Sequence, residues 1–313
     1  MSSPEAHSTQ SLSAQIVLRR RGEIIADTKT SVLVLGASGM LGNAMLRVFA
    51  DSEGHETWGS VRSAAVRQLL PSALRERVIC GVDVENIDGL TRLFAEIRPN
   101  VVINCIGLVK QLPEANEPLS AIPINSLLPH RLARLCQVVG SRLVHISTDC
   151  VFSGAKGMYR EEDSADAQDL YGRSKYLGEV DYPNAVTLRV STIGHELASA
   201  HGLVGWFLAQ SAPVRGFTRA IFSGLPTVEV ARVIRDYVLP RPELRGVYHV
   251  SAEPISKCEL LALIARIYGA AIDIQPDDRV VIDRSLDSTR FRRLTGYSPL
   301  PWPELVRVMH EFG

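Results

Sequence analysis

Val32-Leu33-Val34-Leu35-Gly36-Ala37-Ser38-Gly39-Met40-Leu41-Gly42 is the stretch on which the fold turns. Its apolar run is short, β-branched and unbroken, which fits a strand buried on both faces of a parallel sheet. Leu41, Ala44, Met45, Val48 and Phe49 then recur at helical spacing, so the glycines stand where a strand turns into a helix. There Gly36 allows a tight turn, Gly39 lets the backbone come close to a pyrophosphate, and Gly42 lets helix and strand pack tightly. Gly36, Ser38, Gly39, Met40, Leu41 and Gly42 form the candidate cradle, with N–H groups at the helix start facing the negative charge. The spacing is G-x-x-G-x-x-G rather than the commoner G-x-G-x-x-G, and strand-end glycines also serve as plain turn formers. Dinucleotide binding therefore rests on residues farther along the chain.

From Ser31 onward, short apolar runs alternate with amphipathic stretches, the signature of βαβ units. Expected strands are 31–35, 56–60, 78–81, 101–106, 142–147 and 185–190, with helices such as 87–97 and 129–139 between them. The fold class is α/β: a doubly wound, Rossmann-like parallel sheet with a smaller C-terminal substrate-binding lobe. Residues 1–30 read as an extension, 31–188 as mainly dinucleotide-binding, and 189–313 as mainly the substrate lobe with segments returning to the first domain.

The 313 residues are 46% hydrophobic and carry no formal net charge, so a sizeable core is expected and no basic field argues for nucleic acid or a membrane surface. The five cysteines are scattered without a C-x-x-C pair, which predicts reduced structural thiols in a cytoplasm and no metal site. No apolar run nears the ~20 residues that span a bilayer. Arg19-Arg20-Arg21 follows a short apolar patch instead of preceding a long one, the wrong order for a secretory signal, and reads as a solvated charge cluster. The first thirty residues are expected to form a mobile extension or an added strand.

Ligands of such sheets bind at the carboxyl ends of the strands. After the second strand, Ser60 and Arg62 stand with no acidic residue to take ribose hydroxyls, which suits a 2′-phosphate and favours NADPH over NADH. A solvated loop arginine is the alternative. Asp83 and Val84 are placed to meet the adenine, and in Cys105-Ile106-Gly107 a small residue and a glycine let backbone pass close to a cofactor. The fifth strand delivers Ser147-Thr148-Asp149 to the same rim, while His145 within it reads as a core residue. Tyr171 and Lys175 are four apart and share a helix face. A cation beside the phenol is expected to lower its pKa from ~10, making Tyr171 a proton donor or acceptor at a carbonyl or alcohol.

These residues together resemble the extended short-chain dehydrogenase/reductases, in the branch of dTDP-4-dehydrorhamnose reductase and related sugar-nucleotide 4-keto reductases. The resemblance runs from Ser31 to the C-terminus. It is carried by Ser147 to Gly154, Tyr159 to Asp163, Tyr171 to Glu179, Ile124-Asn125 with Pro129, Gly224 to Thr227, Gly246 to Ser251 and Leu286 to Tyr297. It implies Thr148, Tyr171 and Lys175 as the catalytic triad, Lys175 also gripping the nicotinamide ribose and Asn125 holding the lysine through water. Cys150 departs from the branch, which usually carries tyrosine there, and would reshape the substrate pocket; a reactive cysteine is the lesser reading, since no base neighbours it. Within the branch, 193–197, 205–208 and 220–226 look more like reductases making UDP-linked N-acetylated 6-deoxy-L-sugars for surface polysaccharide than like the rhamnose enzyme.

The expected function is NADPH-dependent reduction of the 4-keto group of a dTDP- or UDP-linked deoxysugar. Substrate contacts are assigned to Lys110, Thr148, Trp206, Arg284 and Arg290, the two arginines toward the diphosphate against a plain surface role. The expected partner is a nucleotide sugar, with a homodimer as the assembly and neither nucleic acid nor membrane. Two rivals stand: an epimerase or dehydratase with retained NAD, and a non-catalytic subunit like the regulatory chain of methionine adenosyltransferase. A dehydratase would want a further carboxylate beside Thr148, which leans against it, and retention of Thr148, Tyr171 and Lys175 favours an enzyme.

Overall fold

Six strands lie close to where their apolar runs put them: β1 (Thr30–Leu35), β2 (His55–Val61), β3 (Val78–Cys80), β4 (Val101–Asn104), β5 (Arg142–Ser147) and β6 (Ala185–Arg189). The computed structural model describes residues 29–110 and 113–313. Most of the expected N-terminal extension, with its triple arginine, lies outside the described residues; Thr30 opens β1. Past β6 come β7 (Thr192–Ile193), β8 (Val214–Phe217), β9 (Ala220–Phe222), β10 (Leu225–Pro226), β11 (Gly246–His249), β12 (Ile255–Ser256), β13 (Ile274–Asp277) and β14 (Ile282–Asp283).

The main sheet has seven strands in the order β11-β6-β5-β4-β1-β2-β3, every pair parallel. Its central strand explains why both faces are covered. Val32 and Val34 of β1 join one hydrophobic cluster and Leu33 and Leu35 the other, so successive side chains feed opposite layers. One layer is the helix Met40–Ala50 with Met45 and Phe49, together with Thr227–Val233 and Trp302–Phe312. The other is Ile87–Ile97 with Leu90 and Phe94, and Leu128–Val139 with Leu132 and Cys136. Asn86 caps the helix Ile87–Ile97, its Oδ1 accepting from Gly89 N at 3.0 Å, and Gly140 ends Leu128–Val139 in the left-handed region.

Three details depart from the reading of the sequence. β2 runs on to Val61, so Ser60 is a buried strand residue whose carbonyl accepts from Ala37 N at 2.9 Å. β4 stops at Asn104 because its side chain turns the backbone outward, Oδ1 accepting from Ile106 N at 3.1 Å. The seventh strand, β11, comes from the C-terminal part of the chain and pairs with β6. The rest of that part forms three small sheets: β10-β7, β12-β9-β14 and β13-β8. Among the described residues, no helix is long and apolar enough to cross a membrane.

Candidate active site

The strand order reverses between β1 and β4, and the crevice outside their carboxyl ends is where such sheets bind ligands. Gly36 turns the chain there with φ +82°, and a Cβ on Gly42 would stand 2.1 Å from the Gly36 carbonyl oxygen, so only glycine lets the helix start so near the strand. Gly39 is the exposed N-cap residue of the helix Met40–Ala50, with no side chain bonded to the helix start. The first N–H groups, from Met40 onward, are thereby left to a ligand. Ser38 and Leu41 border the same turn, both partly exposed.

Arg62 stands exposed directly after β2, with no ion pair to it among the described residues. Ser60 is buried in β2 and less accessible than a loop serine. Asp83 is exposed, whereas Val84 packs with Leu90 and Phe94 in the core. Cys105, Ile106 and Gly107 follow β4, with Gly107 close to Lys175. A Cβ on Gly107 would sit 3.4 Å from Asn125 Oδ1 and 3.7 Å from Lys175 Nζ, so backbone and lysine approach closely there.

Asn125 lies in a π-helical stretch, Ile122–Leu127, and is fully buried. Its Oδ1 accepts from Leu108 N at 2.9 Å and its Nδ2 donates to Leu108 O at 3.3 Å and Ser174 Oγ at 3.2 Å. It therefore clasps the loop after β4 to the helix Leu170–Leu177, beside Lys175.

That helix, Leu170–Leu177, starts at Asp169, whose Oδ1 accepts from Gly172 N at 2.8 Å and whose Oδ2 pairs with Lys110 Nζ at 2.7 Å. Lys175 is buried and donates to Ile146 O of β5 at 2.7 Å. Burial pushes its pKa down to about 8, against the opposing pull of Glu179 and Cys105. Thr148 follows β5; its Oγ1 accepts from Cys150 N and donates to Asp149 Oδ1, each at 3.1 Å. Tyr171 stands one turn before Lys175 on the helix Leu170–Leu177. Its pKa moves up, not down as expected: burial is the largest cause, with Cys150 adding to it and Thr148 opposing it. The lysine ammonium is spent on a strand carbonyl and does not relieve the phenol.

Arg284 is brought to this rim, with Nε donating to Phe152 O at 2.7 Å and its charge felt at Asp149 and Cys150. Arg290 is not: it stacks over the Tyr248 ring at 4.7 Å on the outer strand β11. Trp206 is 41% exposed on the short helix Leu203–Leu208, which packs against Lys257–Tyr268. Burial and the Asp149 charge push the Cys150 thiol up to about 12, which removes the thiolate a reactive cysteine needs. His145 is a core residue with its Nδ1 3.1 Å from Asn104 Nδ2, and burial holds it neutral.

Two features escape sequence reasoning. Asp149 is buried, and burial raises its carboxyl while Thr148, Arg284, Cys150 and Ser191 oppose the shift. Glu179 and Arg189 form a buried bidentate pair, Nε to Oε1 at 2.8 Å and Nη2 to Oε2 at 2.7 Å. Ser147 Oγ donates to Glu179 Oε1 at 2.7 Å, and Arg189 Nη1 lies 3.2 Å from His249 Nε2, tying β5, β6 and β11 to the end of the helix Leu170–Leu177. Burial, reinforced by Arg189, pushes His249 down to about 3. The only signal in the sequence is the run from Tyr171 to Glu179 itself, since the partners come from distant strands.

A family model described as RmlD substrate binding domain matches residues 30–280. The chain is 26% identical over 259 residues to methionine adenosyltransferase 2 subunit beta of Bos taurus, covering 76% of this chain and 72% of the bovine protein. Over 148 residues it is 34% identical to dTDP-4-dehydrorhamnose reductase of Streptomyces griseus, covering 47% of this chain and 43% of that one. The crystal structure of dTDP-4-dehydrorhamnose reductase from Bacillus anthracis in complex with NADP has the same fold, with a TM-score of 0.73 at 22% identity over 91% of this chain and 99% of that chain.

Proposed function

The chain belongs to the RmlD substrate binding domain family, and from that membership we propose that it is an NADPH-dependent reductase of the 4-keto group of a nucleotide-linked deoxysugar. One observation carries the reading: Thr148, Tyr171 and Lys175 converge with a glycine turn at the carboxyl ends of β1, β4 and β5.

The residues fit a dinucleotide. The uncapped helix start after Gly39 suits its pyrophosphate, Arg62 a 2′-phosphate, and the opening at Gly107 beside Asn125 and Lys175 a ribose. When bound, the reduced nicotinamide supplies the hydride. On the protein side, Thr148 orients the substrate carbonyl and Tyr171 holds the proton for the developing alkoxide. The raised phenol pKa keeps that proton in place at neutral pH. Lys110 and Arg284 flank the rim as partners for a diphosphate, Trp206 offers a ring to stack on, and Arg290, held on Tyr248, is left out of the set. The stretches around Gly194, Trp206 and Phe222 support a UDP-linked N-acetylated 6-deoxy sugar ahead of the rhamnose precursor.

Changing Tyr171→Phe is expected to cut turnover by about 10²–10⁴-fold while leaving NADPH fluorescence titration unchanged. Undiminished turnover would refute the assignment. The bovine relative supports a second reading, a non-catalytic subunit; co-purification with a larger partner and no turnover of any 4-keto sugar would favour it.

A further inference from the structure

Phe152 opens the segment that follows Thr148 to Val151, and its contacts come from far along the chain. Its ring stacks on Tyr159 at 4.1 Å between centroids and stands nearly perpendicular to the His249 ring at 5.8 Å. Its carbonyl accepts from Arg284 Nε at 2.7 Å, and Gly154 crosses the arginine stem so closely that a Cβ there would stand 3.0 Å from Arg284 Cγ. Segment and arginine are packed as one unit. Among the described residues neither Nη group of Arg284 is hydrogen-bonded or ion-paired. The carboxylates that feel its charge have other partners: Asp149 has Thr148, Asp166 has Ser153 and Asp169 has Lys110. A guanidinium gripped at Nε and free at both outer nitrogens presents a fork to an oxyanion.

The segment hangs on His249, a fully buried ring of β11. Its Nδ1 lies 2.9 Å from Tyr159 O and its Nε2 3.2 Å from Arg189 Nη1. A carbonyl only accepts and a guanidinium only donates, so these partners select the neutral ring with its proton on Nδ1. Arg189 is itself locked to Glu179, and its guanidinium carbon stands 5.1 Å over the Phe152 ring. The backbone N of His249 donates to Glu161 Oε1 at 2.9 Å, which fixes the far end of the segment.

We infer that His249 is a positioning residue: through Tyr159 and Phe152 it holds the Arg284 fork toward the diphosphate of the nucleotide sugar. This rests on the proposed function, in which Arg284 meets that diphosphate. His249 is sealed beneath the segment, so it acts on substrate affinity and leaves the dinucleotide side alone.

Substitution separates the two ring nitrogens. In His249→Asn the amide nitrogen stands where Nδ1 stood and keeps the donor to Tyr159; in His249→Gln the amide oxygen stands where Nε2 stood and keeps the acceptor for Arg189. With the full-length protein, calorimetric titration with UDP is expected to show about tenfold weaker binding for His249→Gln and near-unmodified binding for His249→Asn. NADPH fluorescence titration is expected to be the same for all three. KM for a UDP-linked 4-keto-6-deoxy sugar should follow the UDP affinity while kcat stays within about twofold. In an Arg284→Gln background, already weak toward UDP, His249→Gln is expected to add nothing further. Three results overturn the proposal: UDP affinity indifferent to both His249 variants, a larger loss in His249→Asn than in His249→Gln, or full additivity with Arg284→Gln. Where His249→Gln does not fold, Tyr159→Phe replaces it. That change removes the phenol oxygen that accepts from Gly154 N at 3.2 Å and Lys156 N at 3.1 Å, loosening the segment while sparing His249, and an unaltered UDP affinity there overturns the proposal. A protein that binds UDP as expected yet reduces no 4-keto nucleotide sugar loses the reductase reading alone. One that binds neither UDP nor dTDP loses the reading and the positioning role together.

Discussion

Lys175 shows how a single side chain sets a pH window. Its pKa is brought from 10.5 to about 8 by burial, so below about 8 the amine is charged in the folded and unfolded chain alike. Between about 8 and 10.5 the folded protein sheds the proton that the unfolded chain keeps. The unfolded state then binds more protons, so stability rises with pH across that window, by about 3 kcal/mol if no other group intervenes. On the proposed reading activity runs the other way: a lysine charged to hold a ribose would fail as pH climbs through about 8. A pH series of denaturant melts beside kcat/KM should give these opposite trends. At the other end of the site, Arg62→Asp should weaken NADPH binding and shift preference toward NADH, read by fluorescence titration; unaltered preference would mean that Arg62 is only solvated. The exposed position of Arg62 is legible from the end of an apolar run. The burial of Asp149 is not, because Arg284 and Ser191, which surround it, lie far along the chain.

Among elements, those buried on both faces are the legible ones. β1 and β5 read as unbroken apolar runs, and the helix Ile87–Ile97 has its cap and its period in plain view. β11 reads as a motif and not as a strand, since four residues beginning with glycine carry too little pattern. The π-helical widening at Ile122–Leu127 is equally hidden, because one wider turn scarcely disturbs an apolar period, yet it is what carries Asn125 inside. The Glu179–Arg189 pair fastens three strands to the helix Leu170–Leu177. Removing one partner leaves the other charge buried alone, so Glu179→Gln should cost about 3–5 kcal/mol in a urea melt. Glu179 also holds the Lys175 pKa up, so in that variant the alkaline limb of activity should move to lower pH. A limb that stays put would separate the fastening from the electrostatics.

At the level of the whole molecule, residues of the earlier and later parts of the chain share one core. One hydrophobic cluster contains Val32 of β1, Phe49 of the first helix, Leu188 of β6, Leu260 and Ile264 of the helix Lys257–Tyr268, and Leu305 and Met309 near the end. A domain unfolds as a unit when its core is shared, so calorimetry should give a single transition, and two resolved transitions would contradict this. The alternation of strands and helices announces the sheet; it does not say which segments of the later half supply the edge strand β11 and part of one helical layer.

That shared cluster limits how the molecule can admit a ligand. A hinge rotation that swung the later half away from the earlier one would have to part Met309 from its neighbours and lift β11 off β6, exposing apolar surface and breaking a parallel ladder. Opening and closing must then fall to the loops rimming the crevice, and the rate at which product leaves will be set by residues that contribute almost nothing to stability.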